Sequence, residues 1–355
     1  MSGLKESAGF PFGKEVRGAV DTRLGVFFET RRAEVQRSAP DALPIFDGLT
    51  NLTMRGGKRL RPAVLVAAQR AVDPHASLSL VVDACAALEV LQSYLLIHDD
   101  WMDGDEERRG GPAVHMLLRR GLREASHPQA SDHLGDSLAV LSGDLGSAYA
   151  NELLLESALH SKRGLDALRA FMATQRDVVL GQSLDLLGSH DVTRMQQLKT
   201  GSYTVDGPLV IGALLANGSD AQVACLRAYG LPLGEAFQMR DDLLGTFGDT
   251  AKTGKPVGND LRVGKRTALV RECELSVPAD QRTALTHVLG HASATDADVR
   301  AAMSLLIETG VRARVEARLG ALVEEAKSKL DAALLAPEGI ALLHELAELL
   351  GARDY

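Results

Sequence analysis

Aromatic residues are scarce in this 355-residue chain, with phenylalanine, tyrosine and tryptophan together making up 4%. Alternating β-branched runs bounded by Asn-Gly or Asp-Gly are nearly missing as well, which removes the usual material of a β-sandwich or barrel. Cysteine is limited to Cys85, Cys225 and Cys273, too widely separated to suggest a disulfide framework or a thiolate zinc site, so a reducing compartment fits. No apolar run approaches the roughly 18 residues that would suggest a membrane span. Met1 to Gly13 has no apolar signal-peptide core. Integral membrane association is therefore not expected, and a cytoplasmic location is. Positive charge is in deficit: 39 Lys and Arg against 47 Asp and Glu give a net charge of −8. A generic nucleic-acid surface is excluded on that balance, and any phosphate-binding surface must be local.

What is present reads as helix. With 45% apolar and 24% charged residues the chain can bury a sizeable core. Apolar positions recur at three- and four-residue steps, as in Ala87-Val90-Leu91-Tyr94 and Val315-Leu319-Leu322-Ala326-Leu330. The pattern predicts an all-α protein with helices near 15–38, 43–54, 60–70, 78–103, 112–124, 134–158, 163–188, 193–217, 220–247, 265–275, 278–290, 296–308, 312–335 and 338–350. Pro208 and Pro232 fall inside two of these and are expected to kink or break them. No fixed-period repeat is found, so residues 1–14 are expected to form a flexible N-terminus and 15–355 a single domain.

The chemistry is carried by charged clusters. Asp99, Asp100 and Asp103 close a long apolar stripe, and on a helix their carboxylates can converge. Two carboxylates about 4 Å apart repel by roughly 4 kcal/mol at an effective dielectric near 20, so convergence implies protonation or a bound cation. Hard oxygen donors with no nearby His or Cys set favour Mg²⁺, with Mn²⁺ as a substitute. The alternative is a solvated acidic helix end. An EF-hand fits worse, because Trp101 stands where its loop needs Asp or Asn. Arg108 and Arg109 follow and either recognise phosphate or balance Glu106 and Glu107. Lys58 and Arg61 lie at a predicted helix start, where an anion is favoured, though a solvated basic turn reads equally. Neither this cluster nor Gly254-Lys255-Pro256 has the spacing of a P-loop. Further on, Gln238, Asp241 and Asp242 sit on another apolar stripe, and opposed carboxylates on two helices can clamp metal ions. Gln182 and Asp185 share one helix face, and Lys199 precedes Thr200. These four are either ordinary surface and capping groups or substrate contacts.

Taken together, Gly57-Lys58-Arg59-Leu60-Arg61-Pro62, Asp99 to Asp103 with Arg108-Arg109-Gly110, and Phe237-Gln238 through Asp242 resemble the trans-prenyl diphosphate synthase family, in the family's order. The resemblance, strongest to short-chain members, implies the isoprenoid synthase fold: helices around a deep central cavity with the two acidic motifs facing each other at its mouth. It implies condensation of isopentenyl diphosphate with an allylic diphosphate to geranylgeranyl (C20) or farnesyl (C15) diphosphate, usually by a homodimer. By the same resemblance Asp99, Asp100, Asp103, Asp241 and Asp242 hold Mg²⁺. Lys58, Arg61, Gln92 and Arg109 bind isopentenyl diphosphate, with Gln92 standing where many members have His. Arg108, Lys199, Thr200, Gln238, Lys255 and Lys265 bind the allylic diphosphate or help close the site. Gly245 stands where many members carry a third Asp of the second motif, and altered metal affinity is expected from it. Tyr94, with Leu95 beside it, is expected to stop the growing chain. A flat helical wheel instead places Leu95 and Leu91 under Asp99. A class I terpene cyclase and a non-catalytic partner subunit of a prenyl synthase are the competing functions.

Overall fold

The structure, a computed structural model, describes residues 11–189, 191–248, 257–291 and 293–351. The chain opens with α1 (Pro11–Ser38), α2 (Leu43–Met54), α3 (Leu60–Val72) and α4 (Val82–Asp103). A short hairpin of β1 (Glu107–Arg108) and β2 (Gly111–Pro112) leads into α5 (Val114–Glu124), α6 (Asp132–Ala158) and α7 (Gly164–Leu186). Then come α8 (Val192–Gln196), a π-helix (Gln197–Asp206), α9 (Gly207–Leu215) and α10 (Asp220–Phe247). The remainder is α11 (Asn259–Arg262), α12 (Ala268–Ser276), α13 (Thr283–Val288), α14 (Asp296–Glu308), α15 (Val311–Ser328) and α16 (Pro337–Gly351). Read from its sequence as one domain, the chain divides by its contacts into two compact units, 1–170 with 210–219 and 171–209 with 220–355.

Several predicted boundaries shift for local reasons. The first helix already begins at Pro11, so 11–14 are helical, as suits a proline whose fixed φ is preset for a first turn. The helix predicted over 312–335 stops at Ser328, and beyond it the Asp331 carboxylate accepts the Ala333 N–H at 2.8 Å in a local turn. Pro232 leaves α10 one continuous helix, whereas Pro208 sits one residue past the junction of the π-helix with α9.

In the first unit α4 and α6 pack against each other most extensively. Small residues make the approach possible: a Cβ on Gly143 would lie 2.5 Å from His98 Cδ2, and one on Gly146 3.3 Å from Tyr94 Cβ. Leu24, Leu49, Leu88, Leu91 and Leu153 are fully buried around this contact. The few aromatics are concentrated nearby, where Phe27, Phe28, Phe46 and Tyr149 meet edge to face with centroids 5.4 to 6.2 Å apart.

The second unit is organised around the π-helix, whose wide turn is held by glycines on its neighbours. A Cβ on Gly181 of α7 would lie 2.6 Å from Lys199 Cα, and one on Gly234 of α10 3.3 Å from Gly201 Cα. Tyr229 of α10 is fully buried and donates its hydroxyl to Leu343 O of α16 at 2.6 Å. In an isolated helix Gly→Ala stabilises by about 1 kcal/mol. At Gly181 the backbone overlap should reverse the sign, and Gly181→Ala is expected to destabilise by about 1–3 kcal/mol in urea unfolding.

Candidate active site

The first acidic set lies at the C-terminal end of α4, which Gly104 terminates in the left-handed region at φ 71°. Its members differ in exposure: Asp99 is half-buried, Asp103 is exposed and Asp100 is fully buried. Arg108 donates from Nε to Asp100 Oδ1 at 2.6 Å and from Nη2 to Asp105 Oδ2 at 2.8 Å. The other Asp100 oxygen is buried with no hydrogen-bond partner among the described residues. Burial therefore outweighs the Arg108 ion pair and pushes the Asp100 carboxyl up to about 6. Arg108 itself is held above its ordinary value, because although burial works against its charge, Asp100, Asp105 and Asp99 outweigh that cost.

Arg108 and Arg109 form a hairpin in which Arg108 pairs with Gly111. Its tip, Arg109 and Gly110, has φ of 53° and 71°, the positive pair that suits the twist of a two-residue turn. Arg55 braces the hairpin by donating from Nη1 to Arg108 O at 2.9 Å and Pro112 O at 2.8 Å. Gly111 makes room for it, since a Cβ there would lie 2.9 Å from the Arg55 guanidinium carbon. Arg109 Nη1 donates to Leu52 O at 3.2 Å. Burial lowers its pKa, and the neighbouring charges of Arg59, Arg61 and Arg108 lower it further, against the pull of Glu89. Arg61 is buried and Lys58 exposed. This crowd of guanidiniums is suited to an anion.

Between these two basic residues, Arg59 has a different task. It is buried with φ 48° and donates to Asp21 Oδ1 at 2.8 Å, to Glu89 Oε2 at 2.5 Å and to Thr53 O at 3.1 Å. It thereby ties α1, α2 and α4 together. Gln92, Tyr94 and Leu95 are half-buried on α4. Tyr94 stacks edge-on to His98 with centroids 4.9 Å apart, against α6 at Gly146.

The second set lies in the other unit, where the same division recurs. Asp241 is exposed and Asp242 fully buried. Gln238 Nε2 donates to Asp242 Oδ1 at 2.9 Å, while Gln196 Nε2 and the Ala268 N–H donate to Oδ2 at 3.2 and 2.8 Å. Burial raises the Asp242 carboxyl despite Lys265 and these donors. Lys265 is half-buried. Burial opposes its charge, but Asp260, Asp242, Asp241 and Asp185 together hold the ammonium well above its usual range. Lys199 Nζ donates to Asp185 Oδ2 at 2.6 Å. Thr200 and Gln182 are half-buried, and Gln182 Nε2 is a buried donor with no partner among the described residues. Gln196 and Gln238 also line a cavity of about 430 Å³ between the π-helix, α10, α12 and α15. Lys255 lies outside the described residues.

Against known proteins, the family model described as polyprenyl synthetase matches residues 45–306. The chain belongs to the polyprenyl synthetase family. Geranylgeranyl diphosphate synthase of Methanosarcina mazei is 31% identical over 340 residues, 92% of this chain and 97% of its own. (2E,6E)-Farnesyl diphosphate synthase of Mycobacterium bovis is 35% identical over 266 residues, 72% and 67% of the two chains. A solved structure of geranylgeranyl pyrophosphate synthase from Corynebacterium glutamicum, complexed with isoprenyl diphosphate and magnesium, matches with a TM-score of 0.83 at 32% identity over 97% of this chain and 99% of that one. The all-α isoprenoid synthase fold expected from the motifs is therefore shown.

Arg55, Glu89 and Gln196 also belong to the site, although none of them was expected there. Glu89 carried a signal, a lone carboxylate within the apolar run Ala87 to Leu91. Arg55 and Gln196 carried none, because their partners are distant in sequence.

No cluster of three or more His, Cys, Asp or Glu is preformed as a metal site among the described residues. The donor chemistry nonetheless fits a hard cation, since the accessible carboxylates Asp99 and Asp103 lie one helical turn apart and Asp241 is exposed. For Asp100 a measurable consequence follows from burial. Its folded pKa lies above the value of 3.8 for the exposed group, so the folded state binds the extra proton between about pH 4 and pH 6. Stability falls as pH rises through that window and the lost increment stays lost above it. Asp100→Asn has no such slope, so its unfolding free energy relative to the natural protein should shift in its favour by about 2–3 kcal/mol from pH 4 to pH 7. A flat difference in urea unfolding would show that ionised Asp100 is not penalised.

Proposed function

We propose that this polyprenyl synthetase is a short-chain trans-prenyltransferase that condenses isopentenyl diphosphate with an allylic diphosphate to geranylgeranyl diphosphate, with farnesyl diphosphate as the shorter product. The observation that carries this reading is the repeated acidic pair. Asp99 and Asp241 are accessible, while Asp100 and Asp242 are locked into the fold beside them. The family membership and the names of the relatives support it.

Asp99, Asp103 and Asp241 would hold Mg²⁺, or Mn²⁺ in its place, on the allylic diphosphate. When bound, the cation supplies charge neutralisation for the departing diphosphate. Lys199 and Lys265 add fixed positive charge on the same side of the reaction, and Gln182 offers an unsatisfied donor. Lys58, Arg61, Gln92 and Arg109 take the isopentenyl diphosphate, whose negative charge opposes the burial and the neighbouring guanidiniums that depress Arg109. Breaking the allylic C–O bond releases diphosphate and leaves a carbocation, which the isopentenyl double bond attacks; the proton then lost passes to the departing diphosphate, completing the new trans unit. Apolar walls must keep water away from that cation.

Pairing of two copies belongs to the same proposal. Leu141 and Leu155 of α6, with Leu159 just beyond it, are 51%, 43% and 69% exposed, an apolar surface suited to burial against a partner. A cytoplasmic location is also part of it. No helix among the described residues is long and apolar enough to cross a membrane.

Incubation with Mg²⁺, isopentenyl diphosphate and allylic primers of increasing length, followed by mass spectrometry, should give C20 product with some C15. A cyclic hydrocarbon would favour a cyclase, and no product with any primer a non-catalytic subunit. Tyr94→Ala, which removes the ring packed on His98, should lengthen the products. An unchanged profile would remove Tyr94 as the determinant and leave Leu95 and Leu91.

A further inference from the structure

Glu89 stands out beside Lys58, Arg61 and Arg109 because it carries the wrong sign for a diphosphate pocket. It belongs to α4, is 2% exposed, and accepts from Arg59 Nη1 at 2.5 Å through Oε2, while its Oε1 has no hydrogen-bond partner among the described residues. Arg109 is attracted by Glu89 and repelled by Arg59 and Arg61, so the carboxylate lies within the basic cluster. On charge alone it weakens anion binding, and a buried ion pair is by itself a weak source of stability.

The partner explains its place. Besides Glu89 of α4, the Arg59 guanidinium donates to Asp21 of α1 at 2.8 Å and to Thr53 O of α2 at 3.1 Å, which fixes it from three sides. The turn that carries it is unusual: Gly56, Gly57 and Arg59 have φ of 94°, 150° and 48°, and a non-glycine residue in the left-handed region persists where its surroundings over-determine it. Lys58 and Arg61 are carried by the same turn and the start of α3. A Cβ on Gly57 would lie 3.9 Å from the Arg109 guanidinium carbon and 4.0 Å from Arg59 Nη1, so the tip of the hairpin closes over that turn. Gln92 follows Glu89 by three residues on α4, close to one helical turn. The Arg59–Glu89 pair thus borders the turn, the hairpin and α4, the three elements that carry the proposed diphosphate ligands.

We propose that Arg59 and Glu89 are positioning residues of the isopentenyl diphosphate pocket: the pair holds Lys58, Arg61 and Arg109 converged while the pocket is empty, so that the diphosphate meets donors already in place. This deepens the assignment of isopentenyl diphosphate made above and rests on it. Cations gathered without an anion repel one another, and ordering them only on binding would subtract from affinity. A fixed internal carboxylate removes that penalty beforehand. The sign is opposite to the one net charge gives: taking a negative charge out of this pocket should make it bind a diphosphate less well.

Isothermal titration calorimetry of the full-length protein with isopentenyl diphosphate, without metal or allylic primer, reads the pocket apart from turnover. Arg59→Lys keeps the charge but loses the planar fork that reaches three helices, and should weaken binding by about tenfold, the equivalent of one hydrogen bond to a charged group. Glu89→Gln should weaken it at least as much. In steady-state assays KM for isopentenyl diphosphate should rise in step, while KM for the allylic primer stays within about twofold. If the pair acts only through net charge, Arg59→Lys leaves affinity unchanged and Glu89→Gln tightens it. If it only supports the fold, the melting temperature falls and the two KM values keep their ratio. Either pattern would overturn the proposal, and Arg59→Lys, which leaves no buried charge without its countercharge, decides it should Glu89→Gln fail to fold. A natural protein that does not bind isopentenyl diphosphate would instead count against the parent function, and would take this inference with it.

Discussion

Two neighbouring carboxylates cannot both be placed in a crowded helix end without a division of labour, and the rest of the site follows from how that repulsion is resolved. In each acidic motif one carboxylate is buried and held by donors, Asp100 by Arg108 and Asp242 by Gln238, Gln196 and the Ala268 N–H. Its neighbour is left accessible, Asp99 half-buried and Asp241 exposed. The buried member accepts hydrogen bonds inside the fold, and the accessible member is the one proposed above to meet the cation. Burial raises both anchored carboxyls, so part of the folding free energy is committed to holding charge in unfavourable surroundings.

Glycines set the distances between the elements that carry these groups. Gly111 lets Arg55 reach the hairpin that presents Arg109, and Gly181 and Gly234 bring α7 and α10 against the π-helix carrying Lys199 and Thr200. In each case a side chain is omitted so that a charged group or a backbone can stand where a methyl group would. A π-helix widens the backbone and is seldom stable without neighbours that close on it, so its position beside substrate-binding candidates is in keeping with the usual association of such turns with function.

Much of this was legible in the residues. Helix periodicity gave most elements to within a few positions, and α2, α10 and α14 agree end for end, because apolar spacing is a local signal. The acidic motifs were legible for the same reason, their members lying within one helical turn of each other. The hairpin at Glu107–Pro112 was not, since two paired residues per strand leave no alternation to read. Nor could the sequence separate the anchored from the accessible member of each acidic pair, or give Arg59 its structural place among the basic residues. Those assignments depend on Glu89, Asp21, Gln196 and Ala268, residues brought close only by the fold.

The division of labour within an acidic pair is tested most directly by comparing Asp241→Asn with Asp242→Asn for both melting temperature and the single-turnover rate of condensation with Mg²⁺. Asp241→Asn should slow the reaction by about two orders of magnitude or more while melting within about 2 °C of the natural protein, and Asp242→Asn should lower the melting temperature by several degrees. A stable, active Asp241→Asn beside a stable, inactive Asp242→Asn would contradict the account, because the carboxylate held inside the fold would then be the one that meets the substrate.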